Sequence, residues 1–554
     1  MSQVIDRSIQ DAGTYDFIIV GAGSAGCVLA NRLTESGASV LLLEAGQWDR
    51  DPLIHIPVGI GKIFPERLHD WGYFMEPDPG IAGRGIECAR GRVVGGSSSI
   101  NVMAYVRGHR DDYDRWARSG LNGWSYADVL PYFRRSETWE GGGDAFRGDQ
   151  GPLRVQRTRY RDGILDDFIE AGRQAGYPVT PDYNGAQQEG FAHIQETIHA
   201  GRRNSAATAY LRPALRRPNL RVIVGARADQ IEMANERATG IRFTESGRTQ
   251  LAHARREVLL ACGVINSPKL LMLSGIGNPE HLAEHGIATK IENPHVGNNL
   301  QDHLSVMATY RRKSPSWFQQ EMRYDRLALA MVKSFLHKDG FASEVPIGVT
   351  AFLKTRQELT VPDIQFLFLA APLPARPYLP PFTRPVPDGF GCRVALLRPE
   401  STGMITLASA VPDAKPKITP NFLTSERDRE TLREGLRILR RTMNQPAMAG
   451  HVQQENAPGA AIQDDEALDA FIRATSVTVH HPAGTCRMGG GGDSRRVVDG
   501  TLRVVGIDGL RVIDASVMPD LVGGNINAVV MMIAEKAADI ILGKSMLPRS
   551  SIAA

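Results

Sequence analysis

Residues 15–20 (YDFIIV) form a short apolar run that stops at a glycine, the pattern of a strand buried on both faces of a parallel sheet. Residues 27–33 follow with helical spacing, and 39–43 (SVLLL) predict a second strand, so a βαβ unit opens the protein. Further strands are expected at 220–224, 240–243 and 257–261, the last running past Gly263 into a helix over 267–273. From about 310 to 395 the texture changes: aromatic and proline residues increase, and 369–387 (LAAPLPARPYLPPFTRPVP) predicts an irregular loop or linker. Strands at 393–397 and 404–408 and a long polar-faced helix at 425–443 come next. The last segment returns to the opening style. A strand at 510–513 leads through a glycine-rich turn into 528–542, whose Glu535, Lys536 and Asp539 give it the pattern of an amphipathic helix. The order predicts two interwoven domains: one from both chain ends plus 220–310, the other mainly from 310–470.

Composition narrows the picture. A chain of 554 residues exceeds a single hydrophobic core. The 64 basic and 61 acidic residues nearly balance without any like-charge run, which argues against nucleic acid as a partner. Cys27, Cys88, Cys262, Cys392 and Cys486 are odd in number and widely spaced, so neither a disulfide framework nor a zinc site is expected. A reducing compartment fits this cysteine usage. Residues 1–14 lack the apolar core of a secretory signal, and no stretch reaches the roughly 20 apolar residues that span a bilayer. The expected location is the cytoplasm, with peripheral contact at the inner membrane face left open.

Two glycine clusters carry candidate chemistry. Gly21-Ala22-Gly23-Ser24-Ala25-Gly26 places G-x-G-x-x-G between the first strand and first helix. There the first glycine makes the turn, the second admits a pyrophosphate and the third lets helix pack on strand. Glu44, directly after the second strand, is placed to accept hydrogen bonds from an adenosine ribose. This unit alone does not separate FAD from NAD. Residues 91–101 (GRVVGGSSSIN) are long and rich in small residues, suited to passing closely under a flat ring or a diphosphate.

These segments give the chain a resemblance to the glucose–methanol–choline (GMC) oxidoreductase family from residue 15 to about 541. GRVVGGSSSIN is similar to that family's first signature and GVINSPKLLMLSGIG (263–277) to its second; VGNNLQDH (296–303) and the terminal VIDASVMP and GNINAVVMMIAEKAAD segments also fit. The resemblance implies an α/β fold: a Rossmann-like FAD-binding domain interwoven with an α+β substrate-binding domain on an antiparallel sheet. It implies boundaries of 15–310 for the mainly FAD-binding part, 311–470 for the substrate part and 471–545 for the return that carries the catalytic residues. FAD contacts are implied at Gly21, Gly23, Ser24, Ala25, Gly26, Glu44 and Ala45; at Trp71, Gly95, Gly96, Ser97, Asn101 and Val102; and at Ala228, Asp514, Ala515, Asn525 and Asn527. Some relatives attach FAD through a histidine in the first signature; Ile100 stands at the matching position here, so non-covalent FAD is expected.

Oxidising an alcohol removes a hydroxyl proton and a hydride from one carbon, and a neutral imidazole can take the proton. His480 and His481 precede Pro482, and extended neighbours would point to opposite faces, so only one is expected to face the flavin. The family pattern selects His481 as base, with Asn525 as its amide partner. By residue chemistry alone Asn525 is equally a helix N-cap, a role Asn527 could take instead. With Asn at 525, activity is expected to follow a single rising limb with pH. His303, Cys486 and the Met531-Met532 pair read as structural, and Glu344 as a solvated surface carboxylate. The substrate is expected to be a small alcohol and the electron acceptor dioxygen or a quinone-type carrier. A redox-silent or light-driven flavoprotein of the same fold, such as a lyase, is the alternative; an NAD-linked enzyme is disfavoured by the second glycine cluster.

Overall fold

The computed structural model describes residues 9–372 and 374–552. Residues 1–8 of the segment read above as no secretory signal, and residue 373 of the proline-rich loop, lie outside the described residues.

Two sheets organise the molecule. In the first, the strand Gln10–Val20 lies between Val40–Glu44 and Arg248–Leu260, all parallel, with Leu220–Val224 beyond Val40–Glu44. The 13-residue strand Arg248–Leu260 serves two neighbours: its first half pairs antiparallel with Arg237–Glu245, and its end pairs parallel with Leu510–Val512. Ala226–Ala234 completes the edge, a strand whose half-polar sequence (ARADQIEMA) hid it from the hydrophobic pattern. Phe17, Ile18, Ile19, Leu41 and Leu42 are fully buried, as strands covered on both faces require.

The second sheet is antiparallel throughout, in the order Val452–Ala457, Leu304–Arg312, Gly389–Leu396, Ile364–Leu369, Ile347–Leu353, Gly190–His193. Its far edge comes from well before residue 311, and Val477–Thr478 also pairs with Leu304–Arg312. The two sheets and their helices form the expected α/β architecture. The irregular loop falls between Leu369 and Gly389, and the long helix is Glu426–Met443.

The closing helix, Asn527–Leu542, departs from the amphipathic reading. Glu535, Lys536 and Asp539 are all buried. Arg32 and Arg135 pair with Glu535, Arg135 also reaches Asp539, and the Lys536 ammonium lies over the rings of Trp124 and Tyr132. Charges that pattern alone assigns to solvent are here neutralised inside, because this helix packs between the first helix, Ser24–Glu35, and the helix Tyr126–Ser136. Among the described residues no helix is long and apolar enough to cross a membrane.

Candidate active site

A cavity of about 1150 Å³ runs from the ends of the parallel strands to the face of the antiparallel sheet. Gly21, Ala45, Ala261 and the Asp514–Ala515 pair, each at or just past the end of a parallel strand, line one end of it. This is where open α/β sheets bind ligands.

The glycine clusters meet there backbone to backbone. A Cβ on Gly96 would sit 2.7 Å from the Cα of Gly23, and Gly96 has φ +54°. A Cβ on Gly26 would lie 1.9 Å from the carbonyl oxygen of Gly21, so this glycine packs helix on strand and does not line the cavity. Gly95, at φ +90°, likewise stands behind the wall and makes the turn that presents Gly96. The remaining proposed contacts, Ser24, Ala25, Glu44, Trp71, Ser97, Asn101, Val102, Ala228, Asn525 and Asn527 among them, all reach the cavity surface.

Charge at this end suits a dinucleotide. The helix Ser24–Glu35 has no side-chain cap, so its first N–H groups and positive dipole end face the cavity. Glu44 accepts from the N–H groups of Ala22 (2.9 Å) and Gly46 (2.8 Å); burial nevertheless pushes its carboxyl up to about 7. Asp514 accepts from Gly263 N–H and the Ser267 hydroxyl at the start of the helix Gly263–Leu273. Neither asparagine caps the closing helix: its N-cap is Ile526, and the Asn527 side chain accepts from the Ser24 hydroxyl at 2.7 Å. Arg203, buried without a carboxylate partner among the described residues, donates to Asn101 and to the Ser98 carbonyl and holds the second glycine segment in place; burial lowers it to about 9.

At the other end His481 and Asn525 come together, His481 Nε2 lying 3.0 Å from Asn525 Nδ2. The polarity of the surrounding hydrogen bonds assigns the tautomers. His303 Nε2 is 3.1 Å from the Leu397 carbonyl, which only accepts, so His303 Nδ1 carries the lone pair. His481 Nδ1, 3.0 Å from it, is therefore the N–H, which leaves His481 Nε2 as the acceptor facing Asn525. From the opposite side the Thr350 hydroxyl donates to the Phe366 carbonyl. Gln365 Nε2 donates to Thr350 Oγ1 (3.1 Å) and to Asn525 Oδ1 (3.3 Å), which turns the amide NH₂ toward His481. A carbonyl at each end thus determines the direction of every bond between.

The backbone of His481 is held as firmly as its ring. Asp302 accepts from His481 N–H at 2.9 Å and from the Thr478 hydroxyl, and burial raises its carboxyl to about 6. His481 itself is pushed well below the usual histidine value, by burial first and then by the charges of His303 and Arg90. Burial takes His303 down to about 4.

His480 does not simply alternate with His481. It has φ +64°, not an extended conformation, and both rings line the cavity. Its Nδ1 accepts from Ala89 N–H and its ring meets the edge of Phe64 at 5.1 Å, while only His481 touches Asn525. Glu344 is not a surface carboxylate. It is buried beside Glu196, accepts from Arg159 N–H at 3.0 Å, and is raised to about 7 chiefly by that burial. Cys486, Met531 and Met532 are core residues. Asp302, His303 and Gln365 were not singled out for the site from sequence. The available signal was a polar side chain inside an otherwise apolar strand, as Gln365 is in IQFLFL.

A nucleotide-binding parallel sheet joined to an antiparallel sheet, with a histidine–amide pair in the cleft between them, defines an FAD-dependent oxidoreductase. The chain belongs to the GMC oxidoreductase family, whose N-terminal model matches residues 15–305 and whose C-terminal model matches 399–534. It is 44% identical over 538 residues to an oxygen-dependent choline dehydrogenase of Brucella suis, and 43% identical over 537 residues to one of Rhizobium etli, with 97% of each chain covered. Among solved structures it is similar to pyridoxine 4-oxidase from Mesorbium loti (30% identity, TM-score 0.85, covering 96% of this chain and 100% of that one). It is also similar to a formate oxidase of Aspergillus oryzae (27% identity, TM-score 0.88, 96% and 99% covered). The chain is an FAD-dependent enzyme that oxidises the CH–OH group of its donors.

Proposed function

We propose that His481 Nε2 takes the hydroxyl proton of a primary or secondary alcohol while Asn525 holds the oxygen, giving an aldehyde or ketone. FAD held along the two glycine segments supplies the hydride acceptor. The observation that carries this reading is the 3.0 Å contact between the Nε2 lone pair and the Asn525 amide at the cavity wall. A hydroxyl entering there accepts from the amide and donates to Nε2, replacing one bond by two. Burial keeps His481 neutral and ready to accept, and the imidazolium formed then stabilises the alkoxide in a dry site.

Purified protein should be yellow and bleach when alcohol is added without air. His481→Ala should keep its colour and lose about 10²–10⁴-fold in the rate of bleaching; an unchanged rate would end the assignment. Ile100 lines the cavity and offers no atom for a bond to flavin, so denaturation should release free FAD.

Dioxygen or a quinone-type carrier takes the electrons onward, and the speed of recolouring in air distinguishes them. We place the enzyme in the cytoplasm, in peripheral contact with the inner membrane face. Support for that contact comes from the helix Tyr324–His337, which exposes Leu329, Val332, Phe335 and Leu336 beside Lys333 and Lys338. Co-sedimentation with anionic vesicles, weakened by Phe335→Ser, tests it.

A further inference from the structure

Arg393 has no part in the chemistry described so far, yet it lines the cavity from the middle of the antiparallel sheet. In register it stands between Met307 and Leu367, both of which also line the cavity, so all three side chains share one face. The next row on that face is Ser305–Ala395–Gln365, and Gln365 holds Asn525. One row is two residues, about 7 Å along a strand, so Arg393 stands one row along the sheet from the residue that holds Asn525.

Among the described residues the guanidinium makes one hydrogen bond, Nη1 to Ser305 Oγ at 3.2 Å, and has no carboxylate within ion-pair distance. Burial lowers its pKa with nothing opposing it. The side chain is only half-buried on the cavity wall, and a charge taken partly out of water still gains from an opposite partner. Among the described residues the four carboxylates on the cavity wall lie elsewhere: Glu44 and Asp514 at the parallel-sheet end, Asp413 paired with Arg227, and Glu66 half exposed near Lys62.

We infer that Arg393 is the anchor for a carboxylate on the substrate, so that the preferred alcohol is a hydroxy acid with an otherwise apolar body and not a cationic alcohol such as the choline named for its relatives. The Met307 and Leu367 flanks, with Leu327 and Met331 beyond them in the wall, supply the apolar surface for that body. A quaternary ammonium at this position would meet a positive charge and no negative one. A carboxylate would complete a charge-assisted fork and satisfy the unpaired N–H groups.

This inference rests on the proposed alcohol chemistry, and the experiment separates the two. The holoenzyme is reduced anaerobically with ω-hydroxycarboxylates of four to eight carbons, the 1-alkanols of equal length, and choline. Pentanoate, which has no hydroxyl to oxidise, is titrated in parallel against the flavin absorbance. One member of the acid series should exceed its alkanol at least tenfold in kcat/KM, and pentanoate should perturb the flavin spectrum. Arg393→Met should remove both effects, lowering the acid's kcat/KM about 100-fold while changing the alkanol less than threefold. Arg393→Lys, which keeps the charge, should retain the acid preference in part and controls for misfolding. Preference for choline or alkanols, or an Arg393→Met enzyme that treats acids as before, overturns the anchor. Pentanoate binding that depends on Arg393 in an enzyme no alcohol can bleach would uphold the anchor and overturn the alcohol chemistry.

Discussion

His481 owes its neutral, unprotonated state to its neighbours. An exposed imidazole titrates near pH 6.5, and the rising limb expected from residue chemistry would fall there. Burial, with His303 and Arg90 adding repulsion, moves the limb well to the acid side. The sign follows directly: lowering the pKa keeps the free base populated as pH falls, so the base is lost only far below 6.5. Flavin reduction measured by anaerobic stopped flow should therefore be flat from pH 6.5 to 9, and a limb between 6.5 and 8 would contradict this environment. Removing the acceptor of the His481 Nδ1–H bond should release the ring. His303→Phe is expected to slow reduction at least tenfold with FAD retained, since small misplacements of reacting groups are costly.

The crossing of the two glycine segments is a close backbone junction between elements in the site. Strand and helix bring Gly23 into place, the 3₁₀ turn Gly96–Ser99 brings Gly96, and nothing larger than hydrogen fits between them. Gly96→Ala combines a 2.7 Å clash with a positive φ, and the variant is expected to purify colourless. Gly450→Ala, where a Cβ would meet nothing within 4 Å, should stay yellow and serves as control. The turn at Gly21 and the helix-on-strand packing of Gly26 were legible from G-x-G-x-x-G, because that motif encodes a purely local strand–turn–helix. The partner across the cavity was not, since no local pattern says which two turns will touch.

Across the molecule, residues far apart in the chain close the structure. Arg32 and Glu535 are 503 positions apart, and with Arg135 and Tyr210 they join the first helix to the last around one buried carboxylate. Breaking such a cluster from one side strands the remaining charges, a loss of about 3–5 kcal/mol. Glu535→Ala should melt at lower temperature while keeping the wild-type flavin spectrum. The same cluster shows where pattern reading fails: i, i+3, i+4 spacing reports how many faces of a helix are apolar, but not whether a polar face will find buried partners. Strand and helix positions such as Leu220–Val224 and Glu426–Met443 were legible because period and turn residues are local properties. The motifs likewise pointed to His481 and Asn525 through short, contiguous signatures. His303, Gln365 and Arg393 lie on or beside strands 88 to 178 positions from His481, and strand register brings Arg393 to the cavity wall and the other two behind His481 and Asn525. Register depends on how whole sheets pack, because every pairing must bury its apolar face at once; the tautomer of His481 and the place of Arg393 on the cavity wall follow from that packing.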